Sequence, residues 1–367
     1  QLDICHLRNL RAVRLSGLSH VNLFYGANGS GKTSILESLH LLAMARSFRG
    51  GSVKNLIQRG ESSCTVSGVI ESCTSAGGTR KNTLGVQREL SGDTLIKISG
   101  DVVNRIADLV KVLPVQVINA QSFELLTGPP AARRQYLDWG VFHVEPSFYP
   151  AWQLFQRCLK QRNRLLRRDK MDRVELSAWT VKLAESGEAV ARHRSNYVEA
   201  MLPFFERAVS ALLPELAEAL TMRYARGWDS SQTFAEVLEQ SLEGDRQQGY
   251  TRSGPQRADL KILTNGQNAS EILSRGQQKL VVCALKLAQG QLLNNRAGPG
   301  AGEFLYLVDD LPSELDTAHS RYVCESLSSL AAQVFITAVD AGDVTDVWPD
   351  QDAISVFHVE HGAVSVG

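Results

Sequence analysis

The chain has 367 residues, more than one hydrophobic core usually serves, so two lobes are expected. Its 43% apolar and 21% charged residues are ordinary for a soluble globular protein. Its 39 acids cancel its 39 bases, so net charge predicts neither a nucleic-acid nor an acidic partner, and any such partner must be met by a local patch. No apolar run approaches the roughly 18 residues of a membrane helix, and the N-terminus shows no signal-peptide pattern, so the expected setting is cytosolic, with no membrane partner. The six cysteines, Cys5, Cys64, Cys73, Cys158, Cys283 and Cys324, form no C-x-x-C pair and sit mostly among apolar neighbours. They read as buried free thiols of a reducing compartment rather than as disulfides or zinc ligands.

In chain order, loose alternation predicts strands over Leu2–Leu7 and Ala12–Leu18, and the apolar run Val21–Tyr25 predicts a buried strand stopping at Gly26. Ile35, Leu36, Leu39, Leu42 and Ala43 then recur at helical spacing, giving an amphipathic helix over about Lys32–Arg46. Further strands are predicted at Cys64–Ile70, Thr83–Gln87, Thr94–Ser99 and Pro114–Ile118. The composition changes near Gly128, and from Pro130 to about Gln248 the pattern is helical and rich in Arg, Leu, Ala and Glu. Strand signals return at Asp259–Leu263, Phe304–Val308, Val334–Thr337 and Ile354–Val359, and Gly298–Gly302 reads as a flexible surface loop. The expected organisation is one α/β domain made from both ends of the chain, residues 1–125 and 255–367, with a helical lobe inserted at 126–254.

Gly26-Ala27-Asn28-Gly29-Ser30-Gly31-Lys32-Thr33 fits G-x-x-x-x-G-K-[ST] and lies between the predicted buried strand and helix, as that motif requires. Glycines let the backbone curl so that successive N–H groups converge on phosphate oxygens. Lys32 is expected at the β- and γ-phosphates of ATP, with the Thr33 hydroxyl on Mg2+. The strand Phe304–Val308 ends in Asp309-Asp310. A carboxylate there can hold the metal, and a second beyond it can orient or deprotonate a water, so Asp309 is the expected metal ligand and Asp310 the expected base. Asp310 is one methylene shorter than the Glu common at this position in related ATPases, which points to slow turnover.

Leu273-Ser274-Arg275-Gly276-Gln277 opens a predicted helix. Ser274 as N-cap and Gln277 three residues on make a capping box, and the same helix start is an anion site; the two readings are compatible. The glycine loop, this segment, the strand carboxylates and Ser313-Glu314-Leu315-Asp316 stand in the order of the phosphate loop, L-S-G-G-Q signature, carboxylates and D-loop of ABC-type ATPases. Together with Arg46-Ser47-Phe48-Arg49 and Gly128-Pro129-Pro130-Ala131-Ala132-Arg133-Arg134-Gln135-Tyr136-Leu137-Asp138, they make the chain resemble the RecF family of that class over essentially its whole length.

The resemblance implies an ABC-type P-loop ATPase domain with an inserted helical lobe, and an ATP-dependent head-to-tail homodimer in which Ser274, Gly276 and Gln277 cover the γ-phosphate held by the other subunit. It also implies retention of double- and single-stranded DNA, slow ATP hydrolysis that acts as a timer, partners of the RecR and RecO type, and a place in recombinational repair, replication-gap processing and the SOS response. A scaffold shaped by ATP, with incidental DNA contact, is the alternative. The sequence departs from the family at Ala120-Gln121 and Gln256, and Arg275 replaces the first Gly of the pair in the ABC-type L-S-G-G-Q signature. Thr337 stands where transporter ATPases have a switch His, and either Gln116 or Gln121 can serve as the Q-loop glutamine.

Arg157, Lys160, Arg162, Arg164, Arg167, Arg168 and Lys170 form a dense basic run on a helix whose apolar stripe is Leu154, Phe155, Cys158, Leu159, Leu165 and Leu166. The run is either a solvated face or a surface for the phosphate backbone. Arg157, Lys160, Arg164 and Arg168 are the DNA-binding candidates taken from it, with Arg46, Arg49, Arg133 and Arg134 as weaker ones. Aromatic residues are thin in these runs, which favours duplex phosphate contact over base stacking.

Overall fold

The computed structural model describes residues 1–73, 79–168, 172–296 and 304–367. The predicted loop Gly298–Gly302 and the basic-run residue Lys170 lie outside the described residues. The described residues fall into two compact units, residues 1–123 with 283–367, and residues 124–282.

The first unit begins with β1 (Leu2–Leu7), β2 (Leu10–Leu15), β3 (Val21–Tyr25), α1 (Lys32–Met44) and α2 (Val53–Leu56). It continues through β4 (Ser63–Cys73), β5 (Thr79–Glu89), β6 (Thr94–Ile98), β7 (Asp101–Val103), α3 (Ile106–Val112) and β8 (Val115–Ile118). The second unit holds α4 (Glu124–Thr127), α5 (Pro130–Val144), α6 (Phe148–Leu166), α7 (Arg173–Leu212), β9 (Leu220–Ala225), α8 (Phe234–Gln240), α9 (Leu242–Gln248), β10 (Asp259–Thr264), β11 (Gln267–Asn268) and α10 (Ala269–Ile272). The unit boundary falls inside α11 (Arg275–Arg296). The chain then closes the first unit with β12 (Phe304–Val308), α12 (Leu311–Glu314), α13 (Thr317–Ser328), β13 (Ala332–Ala338), α14 (Gly342–Thr345), β14 (Ile354–Glu360) and β15 (Ala363–Val366).

Two sheets build the first unit. One has the order β15-β14-β3-β13-β12-β8, with every neighbouring pair parallel except β15 on β14. The other, β2-β1-β4-β5-β6-β7, is antiparallel throughout. Helix α1 packs against both. Being covered on both sides, it is buried around nearly its whole circumference, from Ser34 to Ala43, rather than being the amphipathic surface helix its spacing predicts. It ends two residues early because Ala45 takes a left-handed conformation, φ 52°, and its N–H closes on the Leu41 carbonyl. β3 lies between β13 and β14, so the glycine loop at its carboxyl end sits where the strand ends of a parallel sheet converge on a ligand crevice.

In the second unit α6 packs along α7, a helix of about 60 Å at 1.5 Å per residue, capped by Asp172 accepting from the Val174 and Glu175 amides. A three-stranded antiparallel sheet, β11-β10-β9, completes it. Strand β9 falls inside the stretch expected to be helical. Its apolar residues Leu220 and Met222 alternate with exposed Thr221 and Arg223, a period-2 signal too short to stand out among helices. Residues 255–282, expected with the ATPase domain, group here instead. β10 pairs with β9, Arg133 makes a bidentate pair with Asp259 at 2.7 and 3.1 Å, and Arg194 donates to the Pro255 carbonyl. Among the described thiols Cys64, Cys158, Cys283 and Cys324 are buried and free as expected, Cys5 is free but exposed, and the side chain of Cys73 lies outside the described residues.

Candidate functional site

The glycine loop is held by partners that carry no recognisable motif. Gly26 donates to the Val339 carbonyl, and a side chain at Gly26 would meet the Val359 carbonyl oxygen at 2.3 Å. Gly26, Gly29 and Gly31 all have positive φ, 147°, 80° and 123°, which L side chains rarely adopt. Asn9, in the two-residue turn between β1 and β2, donates to the Ser30 carbonyl at 3.0 Å and accepts from the Ser34 hydroxyl at 3.0 Å, pinning both sides of the loop. Gly362, in the β14–β15 turn, donates to the same Ser30 carbonyl at 2.8 Å. Sequence reasoning passed over Asn9; its position in a tight hairpin is all that marks it.

Inside this frame, Lys32 Nζ donates to the Gly26 and Ala27 carbonyls at 2.6 and 3.0 Å. Burial pushes the Lys32 ammonium pKa down, and the charges of Asp310 and Asp309 oppose that shift. The Ser30 hydroxyl, within the glycine loop, is buried with no hydrogen-bond partner. Asp309, one residue beyond the fully buried β12, accepts from the Thr33 hydroxyl at 3.0 Å and from the Thr337 hydroxyl at 2.8 Å, both on Oδ1. Burial raises its carboxyl pKa, while these two hydroxyls and the Arg49 charge pull the other way. The Asp310 amide donates to Thr337 Oγ1 at 2.9 Å, and Asp310 itself is left-handed, φ 54°. Buried Thr337 therefore ties the Asp309 carboxylate to the Asp310 backbone, a role its place at the position of a switch His does not suggest.

A cleft of about 750 Å3 opens over this group, lined by Asn28, Lys32, Thr33, Asp309 and Asp310, by Arg8 from the β1–β2 turn, and by Arg49, Lys54 and Arg59 from the chain around α2. Arg8 is already bound bidentately to buried Glu37 at 2.8 and 2.7 Å. Arg49 therefore belongs with the phosphate loop rather than with an outer basic patch, while exposed Arg46 lends only its carbonyl, to His40 Nδ1 at 2.7 Å. The donor set fits a nucleoside triphosphate with its magnesium: a glycine nest, a lysine, an unsatisfied hydroxyl, and a buried carboxylate beside a threonine. Of the two glutamines, Gln116 is buried and tied to Lys286 and Gln289, whereas Gln121 is exposed and accepts only from Asn119, leaving Gln121 the accessible one.

In the second unit, Ser274 and Gln277 exchange hydrogen bonds, Ser274 N–H to Gln277 Oε1 at 3.1 Å and Gln277 N–H to Ser274 Oγ at 3.3 Å. The capping box is thus formed, and Ser274, Arg275 and Gly276 are exposed at the start of α11. In the first unit Asp316 caps α13, accepting from the His319 amide.

The basic run divides. Arg162 is fully buried and holds Asp245 at 2.9 Å and the Thr251 hydroxyl at 2.6 Å, so it is a core residue and no part of a basic face. Arg167 donates to the Gly249 carbonyl at 3.0 Å. Arg164 and Arg168 share Glu175 at 4.0 and 3.6 Å, and Arg157 lies 6.0 Å from the Trp179 ring centroid. Lys160, Arg164 and Arg167 line a cleft of about 730 Å3, and Leu154, expected in the apolar stripe, is exposed. Arg133 and Arg134 are structural as well. Arg133 joins Asp259 to the carbonyls of Leu125, Leu126 and Gly128, and Arg134 donates to the Ala258 carbonyl.

The model of the RecF/RecN/SMC N terminal domain matches residues 1–365. The Smc head domain of Pyrococcus furiosus, bound to the C-terminal domain of ScpA, superimposes with a TM-score of 0.57 at 13% identity, covering all of this chain and 94% of that one, a likeness of fold alone. The fold is that of an ABC-type P-loop ATPase domain carrying a second, mainly helical unit. A structure of the recombination mediator protein RecF with ATP, in the RecFOR pathway, matches with a TM-score of 0.85 and 26% identity over all of this chain and 96% of that one. The DNA replication and repair proteins RecF of Pseudomonas aeruginosa (strain LESB58) and Pseudomonas putida (strain GB-1) are each 48% identical over 365 residues, all of this chain, covering 96% and 97% of those proteins. The chain belongs to the RecF family.

Proposed function

We propose that this protein binds ATP at the glycine loop and uses it to form a head-to-tail dimer that retains DNA during replication and repair. The observation that carries the reading is the Thr33–Asp309–Thr337 hydrogen-bond cluster beside the unsatisfied Ser30 hydroxyl and the curled glycines. The residue roles follow from that geometry. Backbone amides of residues 28–33 and Lys32 receive the phosphates, with Lys32 exchanging two loop carbonyls for phosphate oxygens. Thr33 and Asp309 would hold magnesium, which would neutralise phosphate charge and favour the ionised form of Asp309, whose carboxyl pKa burial raises. Asp310, held by its amide on Thr337, orients the attacking water, and Gln121 senses the site from the end of β8.

Ser274, Gly276 and Gln277 are exposed or half-exposed, as a segment that meets a partner's nucleotide must be. Hydrolysis is slow and resets the dimer. Proteins of the RecR and RecO type are the partners, because the ATP-bound relative is described within the RecFOR pathway. The compartment is the cytosol; among the described residues no helix is long and apolar enough to cross a membrane. The ATPase domain comprises the first unit together with the signature segment at the start of α11. Light scattering with ATP and magnesium tests the proposal. The wild-type chain should become a dimer, and Ser274→Arg should remain a monomer while still binding ATP. A Ser274→Arg protein that dimerises normally would remove the signature from the interface.

A further inference from the structure

The second unit contains a cavity of about 710 Å3 beside the edge strand β9, between it and the middle of α7. Four cations line it: Arg192 from α7, Arg223 from β9, Arg226 just past β9, and Lys261 from β10. No ion pair joins any of them to an acid among the described residues. The lone lining carboxylate, Glu188, is engaged by the Phe234 amide at 2.7 Å. Arg223 and Lys261 are directly opposed in the β9–β10 register. Like charges at opposed positions destabilise a sheet, so this pair is held against its own repulsion with no anion of the protein between them.

A further lining residue, Trp228, carries an unsatisfied donor. The indole N–H of Trp228 is buried without an acceptor, its ring held between Phe234, stacked at 4.7 Å, and the Arg226 guanidinium at 5.3 Å. Buried donors without acceptors are rare in native structures and call for an explanation. Unpaired cations, an opposed like-charge pair and an unsatisfied indole donor among the residues lining one cavity share one chemical answer, an anion that accepts several hydrogen bonds.

We propose that this cavity is a phosphate-binding site, whose occupant is a phosphodiester of the DNA backbone or a free phosphate. The choice between those sources rests on the proposed DNA function; the site itself does not. It offers unpaired charge on a concave surface, whereas α6 has one arginine buried, one on a carbonyl and two sharing a glutamate.

The full-length chain is compared with Arg223→Gln/Lys261→Gln and with Trp228→Phe. Anisotropy of a fluorescein-labelled duplex is followed across a salt series with ATP. Line broadening of inorganic phosphate in 31P spectra is followed in a Lys32→Ala background, where the glycine loop has lost its cation. The double variant should weaken duplex binding about tenfold or more and lower the salt slope by about 2, with ATP affinity unchanged. It should also abolish the phosphate line broadening. Trp228→Phe should weaken binding without lowering Tm, because it removes a donor that is unsatisfied in the free protein, and Lys261→Gln alone should raise Tm by relieving the opposed charges.

Loss of phosphate broadening with unchanged duplex binding supports the site with free phosphate as its occupant. A wild-type chain that binds no duplex defeats the DNA function and leaves the phosphate arm to decide. Unchanged binding of both probes in the double variant overturns the proposal. So does a poly-glutamate peptide that binds in a variant-sensitive way where phosphate does not, since the site would then be a protein-docking surface.

Discussion

The glycine-loop pocket and the basic helix α6 are both conspicuous in the sequence, yet their residues reach their places by different physics. At the loop, function and local geometry are the same constraint: positive-φ glycines, a strand before and a helix after set where each side chain goes. Along α6 and just past it, the basic run in the sequence says nothing about which of its members point outward. The helix turns Arg162 into the core, where Asp245 and Thr251 meet its guanidinium, and commits Arg167 to a carbonyl. A motif that specifies backbone is readable from a single chain; a run of like charges is not, because its meaning depends on what packs against it.

The sharpest way to break this comparison is through Arg162. Arg162→Ala leaves Asp245 buried and charged, with only Arg252 beside it, and should cost about 3–5 kcal/mol by urea denaturation. A loss below about 1 kcal/mol would return Arg162 to the surface.

Acid stability probes both regions. Burial pushes the imidazole pKa of His40, beside the pocket, and of His143, on α5, down to about 4 from 6.5. The unfolded chain therefore takes up protons that the folded one refuses, so stability is full above about pH 6.5 and falls as pH drops towards 4. Each imidazole accounts for at most about 3 kcal/mol, and His143→Leu should remove roughly half of the pH dependence in a series of melts.

Lys32→Ala should lower ATP affinity about 100-fold by calorimetry with the circular dichroism unchanged, since it deletes charged hydrogen bonds to phosphate and only two to carbonyls in the free protein. Unaltered affinity would undo the assignment of the loop. The smallest effect belongs to the exposed bases. Arg164→Ala should change stability by less than about 1 kcal/mol, because its partner Glu175 is 4.0 Å away and both are solvated. If Arg164→Glu with Arg168→Glu flattens the salt dependence of duplex binding, α6 is a contact surface; an unchanged slope leaves it a solvated helix face.

Several elements were legible before the structure. β1, β3 and β12 fall on their predicted spans, and α1, β10, β13 and β14 lie within a few residues of theirs, because apolar patterning and the glycine loop mark them. Strands β7, β9, β11 and β15 were not read. β7, β11 and β15 are short and mostly exposed, β9 alternates over only a few residues, and all four are carried by pairing with a neighbour rather than by a pattern that stands out. The assignment of residues 255–282 differed for the same reason: β10 reads as a strand, but nothing in its residues says that its partner is β9.

The sequence by itself determined the phosphate loop, the helix that follows it, the carboxylates at the end of a buried strand and the capping box at Ser274, all local patterns in which spacing dictates conformation. Only the tertiary structure decided that Asn9 and Gly362 clamp the loop and that Thr337 ties together Asp309 and Asp310. It also turned Arg133, Arg134 and Arg162 into internal struts and gathered Arg192, Arg223, Arg226 and Lys261 around one cavity. Those roles join residues far apart in the chain, and whether a charge meets water, a counter-ion or an empty concavity is set by packing, which no single stretch of sequence records.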